Sequence, residues 1–118
     1  METLAVELAG SGIDVNAIAP GALNTRLLDD VLAAGPERVG EQQYQLALQQ
    51  RDSGGFPLPE AAQAIAFLAS PASDGISGRL IAARWDDWRR LPEWRQRLKD
   101  SDVFTLRRIT PEDRGWPA

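Results

Sequence analysis

Residues 13–19 alternate in a strand-like way and then stop at Pro20-Gly21. Ile13, Val15, Ala17 and Ala19 fall on one side, with Asp14, Asn16 and Ile18 on the other. A period of two with a mostly apolar content predicts a largely buried β-strand. Pro20 has no N–H to continue a ladder, and Gly21 can turn the backbone without a Cβ in the way. A second apolar run, "GRLIAARW" at 78–85, is continuous, as buried parallel strands are. Between the two, Pro59 opens a helical stretch with Glu60 behind it, and Ala61, Ile65 and Leu68 form its expected inward stripe. A strand, a helix and a second strand imply parallel pairing through a right-handed crossover. That pattern places the chain in the α/β class. Two strands and one strong helix cannot cover both faces of such a sheet, so part of it is expected to be missing.

The remaining segments are weaker. Glu2 to Ala9 read as the end of a helix, with Leu4 and Leu8 one turn apart and Gly10 as its stop. Thr25 is placed to cap a short helix running to Leu32. Glu37 to Gln50 is polar and glutamine-rich, and is expected as one mobile helix. Nine of the thirteen Lys and Arg residues lie from Arg84 onward, and three of the four tryptophans lie between Trp85 and Leu98. This shift in composition places an organisational boundary near Trp85, giving a body at 1–84 and an Arg/Trp-rich, helical C-terminal extension at 85–118. Trp88, Leu91, Trp94 and Leu98 are helix-spaced and are expected to pack against the body or a second subunit.

Composition excludes several classes. A net charge of −4 argues against nucleic acid as the main partner, because phosphate binding needs an excess of clustered cations. The Arg/Trp tail does not reverse this, since Asp86, Asp87, Glu93, Asp100 and Asp102 are interleaved with its cations. The sequence has neither cysteine nor histidine. Soft metal sites and Cys–His or Ser–His nucleophilic catalysis are therefore outside its repertoire, and no metal site is expected. No apolar run approaches a membrane span, and "METLAVELAG" lacks the features of a signal peptide, so the expected location is the cytoplasm.

"LAVELAGSGIDVNAIAPGALNT" followed by "LPEAAQAIAFLASPASDGISGRLI" resembles the C-terminal third of a short-chain dehydrogenase/reductase. The likeness covers roughly residues 3 to 83. It rests on an ordered set: the glycine before the first strand, "VNAIAPG", the threonine after it, "FLAS" and the glycine opening the last strand. It implies a partial Rossmann-type doubly wound parallel sheet, of which these are the last two strands with the intervening helices. It also implies that Pro20 and Gly21, the backbone of Leu23, and the backbone and hydroxyl of Thr25 contact the nicotinamide carboxamide of NAD or NADP. Ligands of open α/β sheets bind beyond the carboxyl ends of the strands, where this corner would sit. A small carbonyl or alcohol substrate and a homo-oligomeric parent come with the same resemblance. Asn16, inside the strand, is expected to be a satisfied structural amide.

The departures are equally specific. The family's proton-transfer pair is Tyr–x–x–x–Lys, whereas here the single tyrosine, Tyr44, is followed four residues later by Leu48, and the single lysine is Lys99. No glycine-rich phosphate loop occurs, because "GSG" at 10–12 precedes a strand rather than following one. Arg84-Trp85-Asp86 stands where many members end the last strand with Asp-Gly-Gly. The chain is thus expected to be part of an NAD(P)-dependent oxidoreductase, without catalytic residues of its own and inactive alone. The competing expectation is a stand-alone, non-catalytic interaction module or gene remnant.

Overall fold

The computed structural model describes residues 1–116 and is mixed α/β. Helix α1 covers Glu2–Glu7, strand β1 Ala17–Ala19, and helices α2 to α5 cover Arg26–Ala34, Pro36–Val39, Glu41–Ser53 and Leu58–Leu68. Strand β2 is Leu80–Ala82 and helix α6 is Leu91–Lys99, with single 3₁₀ turns at Pro71–Ser73, Trp88–Arg90 and Glu112–Arg114. β1 and β2 pair in parallel, Ala17 opposite Leu80, Ile18 opposite Ile81 and Ala19 opposite Ala82. No helix among the described residues is long and apolar enough to cross a membrane.

Both strands are shorter than their sequence patterns. Ahead of β1, the Gly78 N–H donates to the Val15 carbonyl at 2.7 Å, and side chains add further links. The Val15 N–H donates to Ser77 Oγ at 2.9 Å, Asn16 Nδ2 donates to the Ile76 carbonyl at 2.6 Å, and Asn16 Oδ1 accepts the Arg79 N–H at 3.1 Å. Asn16 is the satisfied structural amide expected of it. Beyond β2, the Trp85 and Asp86 amides fold back onto the Ala82 carbonyl at 3.2 and 3.0 Å, and the strand ends in a turn.

Two helical expectations change. The stretch from Glu37 to Gln50 is two helices rather than one, because Gly40 interrupts it at φ +87, a conformation that suits glycine. On α5 the inward positions are Ala61 and Ala64, at 1% and 0% exposure, while Ile65 stands 51% exposed. Spacings of three then four and of four then three fit a helix equally well. The structure takes the register that puts small residues against the sheet.

Leu91 and Ile81 are fully covered and share one core with Ala64, Ile76, Ala83, Trp88 and Leu98. The Trp88 ring lies 5.3 Å from that of Phe67, and its Nε1–H donates to the Ala83 carbonyl at 3.3 Å. The extension therefore packs against the body of the same chain. Removing most of a covered leucine leaves a cavity, so Leu91→Ala should cost about 2–5 kcal/mol. Urea denaturation followed by far-UV circular dichroism should show one cooperative transition with a lowered midpoint. A variant that loses only α6 signal would show that the extension unfolds separately.

At the C-terminal end, Arg107 donates to Asp113 through Nη1 and Nη2 at 2.7 and 2.8 Å, and its Nε pairs with Asp102. The Arg107 bonds, followed by those from the Thr110 amide and hydroxyl, hold the Asp113 carboxyl well below its usual range. A depressed carboxylate stabilises the fold above its unfolded pKa, and that contribution fades as pH falls. Residues 107–113 should accordingly loosen as pH drops below about 4, before the core melts. Arg107 and Thr110 resonances followed through an acid titration should report this, and Asp113→Asn should reproduce the loosening at neutral pH.

Candidate functional site

The parallel register brings the carboxyl ends of both strands to the same side. Ala19 faces Ala82, and the Ala83 N–H donates to the Ala19 carbonyl at 2.9 Å. Pro20, half-buried, takes the chain out of the ladder, and Gly21 turns it at φ +93. A Cβ at Gly21 would lie 3.1–3.3 Å from atoms of Phe56, so this glycine is required both by its conformation and by a close neighbour.

The corner is held from outside. The Phe56 N–H donates to the Ala22 carbonyl at 2.8 Å, and Gln50 Nε2 donates to the Leu23 carbonyl at 3.0 Å and to Asn24 Oδ1 at 3.3 Å. The acceptors of residues 22–24 are thus turned towards the end of α4 and the loop after it. No hydrogen bond among the described residues engages the Leu23 amide. Thr25 precedes α2 with an extended backbone, and its carbonyl accepts the Leu28 and Asp29 amides at 2.9 and 3.3 Å. The cap is made by the backbone alone: the Thr25 hydroxyl makes no capping bond, and the residue is exposed.

Leu23 and Thr25 line one open cleft of about 250 Å³ between α2 and α4, together with Leu28, Val31, Ala47 and Gln50. Its walls are mainly apolar, and its polar groups are hydrogen-bonding rather than acid–base. Tyr44 and Lys99 sit in α4 and α6, on separate elements. What the cleft offers is shape and a few directed bonds, which suit orienting a flat polar group.

Sequence reading missed the partners that hold this corner. Gly54-Gly55 belongs to none of the segments read from the sequence, yet Gly55 at φ +65 is where the loop passes residues 22–24. A Cβ there would meet the Ala22 carbonyl oxygen at 2.6 Å and Asn24 Oδ1 at 2.7 Å. The doubled glycine was the available signal; nothing in the pattern marked Gln50 or Phe56. Arg79 is the other omission. It is buried, and its guanidinium donates to the Ser101 and Val103 carbonyls at 2.8 and 2.7 Å and to that of Leu98.

The profile of the family described as "Enoyl-(Acyl carrier protein) reductase" matches residues 1–83. The chain belongs to the short-chain dehydrogenase/reductase family. It is 40% identical over 81 residues to a 3-oxoacyl-[acyl-carrier-protein] reductase FabG of Thermotoga maritima, covering 68% of this chain and 30% of that protein. It is 37% identical over 81 residues to the uncharacterized oxidoreductase YmfI of Bacillus subtilis, covering 67% and 30%. It is 35% identical over 78 residues to the (2S)-[(R)-hydroxy(phenyl)methyl]succinyl-CoA dehydrogenase subunit BbsD of Thauera aromatica, covering 66% and 29%. The chain therefore spans about 30% of the length of the curated relatives it matches. No solved structure gives a significant match.

Because Gly55 has neither the conformation nor the space for a side chain, Gly55→Ala should cost about 1–3 kcal/mol and shift the corner. Amide resonances of residues 22–25 should move while those of α6 stay in place. An unchanged spectrum would mean that the loop does not support the corner.

Proposed function

We propose that residues 20–25 form the nicotinamide-facing corner of an NAD(P)-dependent short-chain oxidoreductase that interconverts a carbonyl and an alcohol. The observation that carries this reading is the cleft shared by Leu23 and Thr25, where an amide and a hydroxyl have no internal partner while the neighbouring acceptors are engaged. A carboxamide offers one carbonyl oxygen and one NH₂ group, which the Leu23 amide as donor and the Thr25 hydroxyl as acceptor can meet. Pro20 and Gly21 would set the backbone path, and the Leu23 backbone with the Thr25 backbone and hydroxyl would hold the carboxamide. When bound, the nicotinamide supplies the hydride-carrying ring. The protein's contribution here is to orient one face of that ring and to limit its motion.

Two relatives are named for an acyl-carrier-protein or CoA derivative, which supports the carbonyl or alcohol group of an acyl thioester as the substrate class. The proton-transfer pair and the phosphate loop are not in these 118 residues. On this reading the chain turns over nothing alone and requires the rest of a family fold. Exposed Leu58 and Ile65 on α5 suit further packing within a homo-oligomeric parent.

The test uses a polypeptide carrying residues 1–118 behind a family glycine-rich loop and Tyr–x–x–x–Lys helix. Thr25→Val is nearly isosteric and removes the hydroxyl, so it should weaken NAD(P)H affinity by about 1–3 kcal/mol with little change in melting temperature. Cofactor fluorescence titration reads the first quantity and calorimetry the second. Unchanged affinity would reduce Pro20-Gly21 to a turn.

A further inference from the structure

An exposed strand edge presents unpaired backbone groups that can template pairing with another chain, and natural proteins cover or charge such edges. β2 is an apolar strand with β1 on one side only. Its other side is occupied by the chain's own tail. The two outward-facing donors alternate along the strand, at Leu80 and Ala82. The Leu80 N–H donates to the Phe104 carbonyl at 2.7 Å, and the Ala82 N–H donates to Asp86 Oδ2 at 2.7 Å. One donor is met by a strap of backbone and the other by a carboxylate.

The strap carries strain and a fastening. Phe104 has φ +61, and it is the only non-glycine with positive φ among the described residues. An L-residue holds that conformation only where its surroundings compensate. The compensation comes from Arg79, the residue just before β2. Its buried guanidinium takes the carbonyls of Leu98, Ser101 and Val103, at the end of α6 and along the strap. No acidic side chain is bonded to that guanidinium among the described residues. Its charge is answered by carbonyl dipoles of the segment it holds, the favourable arrangement at a helix C-terminus. At the far end the Leu106 N–H donates to Glu2 Oε1 at 2.7 Å, anchoring the strap to α1.

We propose that residues 101–106 are a releasable strap over the outer edge of β2, latched by Arg79. Together with the Asp86 carboxylate, the strap keeps that edge from pairing with a second copy of this chain. Arg79 is a positioning residue, acting through the strap on the Leu80 amide. The inference does not depend on cofactor binding.

Hydrogen exchange on the unsubstituted 118-residue chain supplies the first reading. The Leu80 amide, held by the strap, should exchange at least tenfold faster than the Ala83 amide, which is held by β1. Equal rates would show that no separate strap exists and would overturn the proposal. Arg79→Met keeps the apolar stem and removes the donors. It should accelerate Leu80 while leaving Ala83 unchanged, and add concentration-dependent self-association by light scattering. The unsubstituted chain has the same open β1 edge and is the control for that association. Asp86→Ala frees the Ala82 N–H without touching the buried cation, and should also raise self-association. It keeps the test decisive if Arg79→Met does not fold. Two substituted chains that scatter like the control would overturn the guarding role, as would equal acceleration of Leu80 and Ala83.

Discussion

The parallel pairing of Ala17–Ala19 with Leu80–Ala82 is the contact from which the rest of the structure takes its positions. A three-residue ladder is short, and it does not stand alone. Asn16 bridges the Ile76 carbonyl and the Arg79 amide, Ser77 receives the Val15 amide, and the Gly78 N–H donates to the Val15 carbonyl, so side chains and backbone together extend the pairing ahead of the ladder. A slip by one residue would turn Ile81, now fully covered, to the opposite face. The register also decides that Pro20 and Ala83 leave the sheet at the same end. The corner, the cleft and the start of the extension are neighbours for that reason.

What was legible in the sequence follows the strength of each local signal. The crossover, the two strands and α5 carry periodicity and punctuation that point together to the α/β class. The ordered motif then led to the family that the profile match also shows. The inward face of α5 was harder to read, because helical spacing accepts Ala64 or Ile65 and hydrophobicity favours the wrong one. Packing chose the alanine. Gly40 went unrecognised as a helix break because the residues around it are mostly polar and carry no apolar period for it to interrupt. At the corner, two of the four positions read from the motif, Leu23 and Thr25, line one cleft, while Pro20 and Gly21 do not, and the supports of all four did not show. Gln50, Phe56 and Gly55 reach residues 22–24 from about 30 positions away, and such pairings leave no local period. Arg79 was hidden for a different reason: a cation in an apolar strand usually marks a surface position. This one is buried because three carbonyls at a helix end replace its water.

The extension illustrates how charge and apolar surface are divided in this chain. Its cations outnumber its acids, while residues 1–83 carry the reverse balance. Its tryptophans do not form an exposed ladder: Trp88 is buried, Trp94 packs against the core, and Arg89 and Arg90 lie over their rings at 4.0 and 5.1 Å. Guanidinium groups stacked in this way cover aromatic surface while staying hydrated. Trp85 and Trp116 differ, standing 76% and 67% exposed, with Trp85 beneath Arg84 at the carboxyl end of β2.

The two edges of the sheet are finished in different ways, and the difference bears on the larger fold. Along β2 both outward donors are taken by the chain's own tail. Along β1 no strand among the described residues pairs with the far edge. Leu4, Val6 and Ile13, from α1 and the approach to β1, are also exposed. A sealed edge suits the boundary of a sheet, whereas an open edge beside uncovered apolar side chains suits its continuation. In a doubly wound sheet the strands beyond β1 would carry the cofactor's phosphate loop. The finish of the edges therefore agrees with the proposed corner, which would meet a cofactor arriving from the open side.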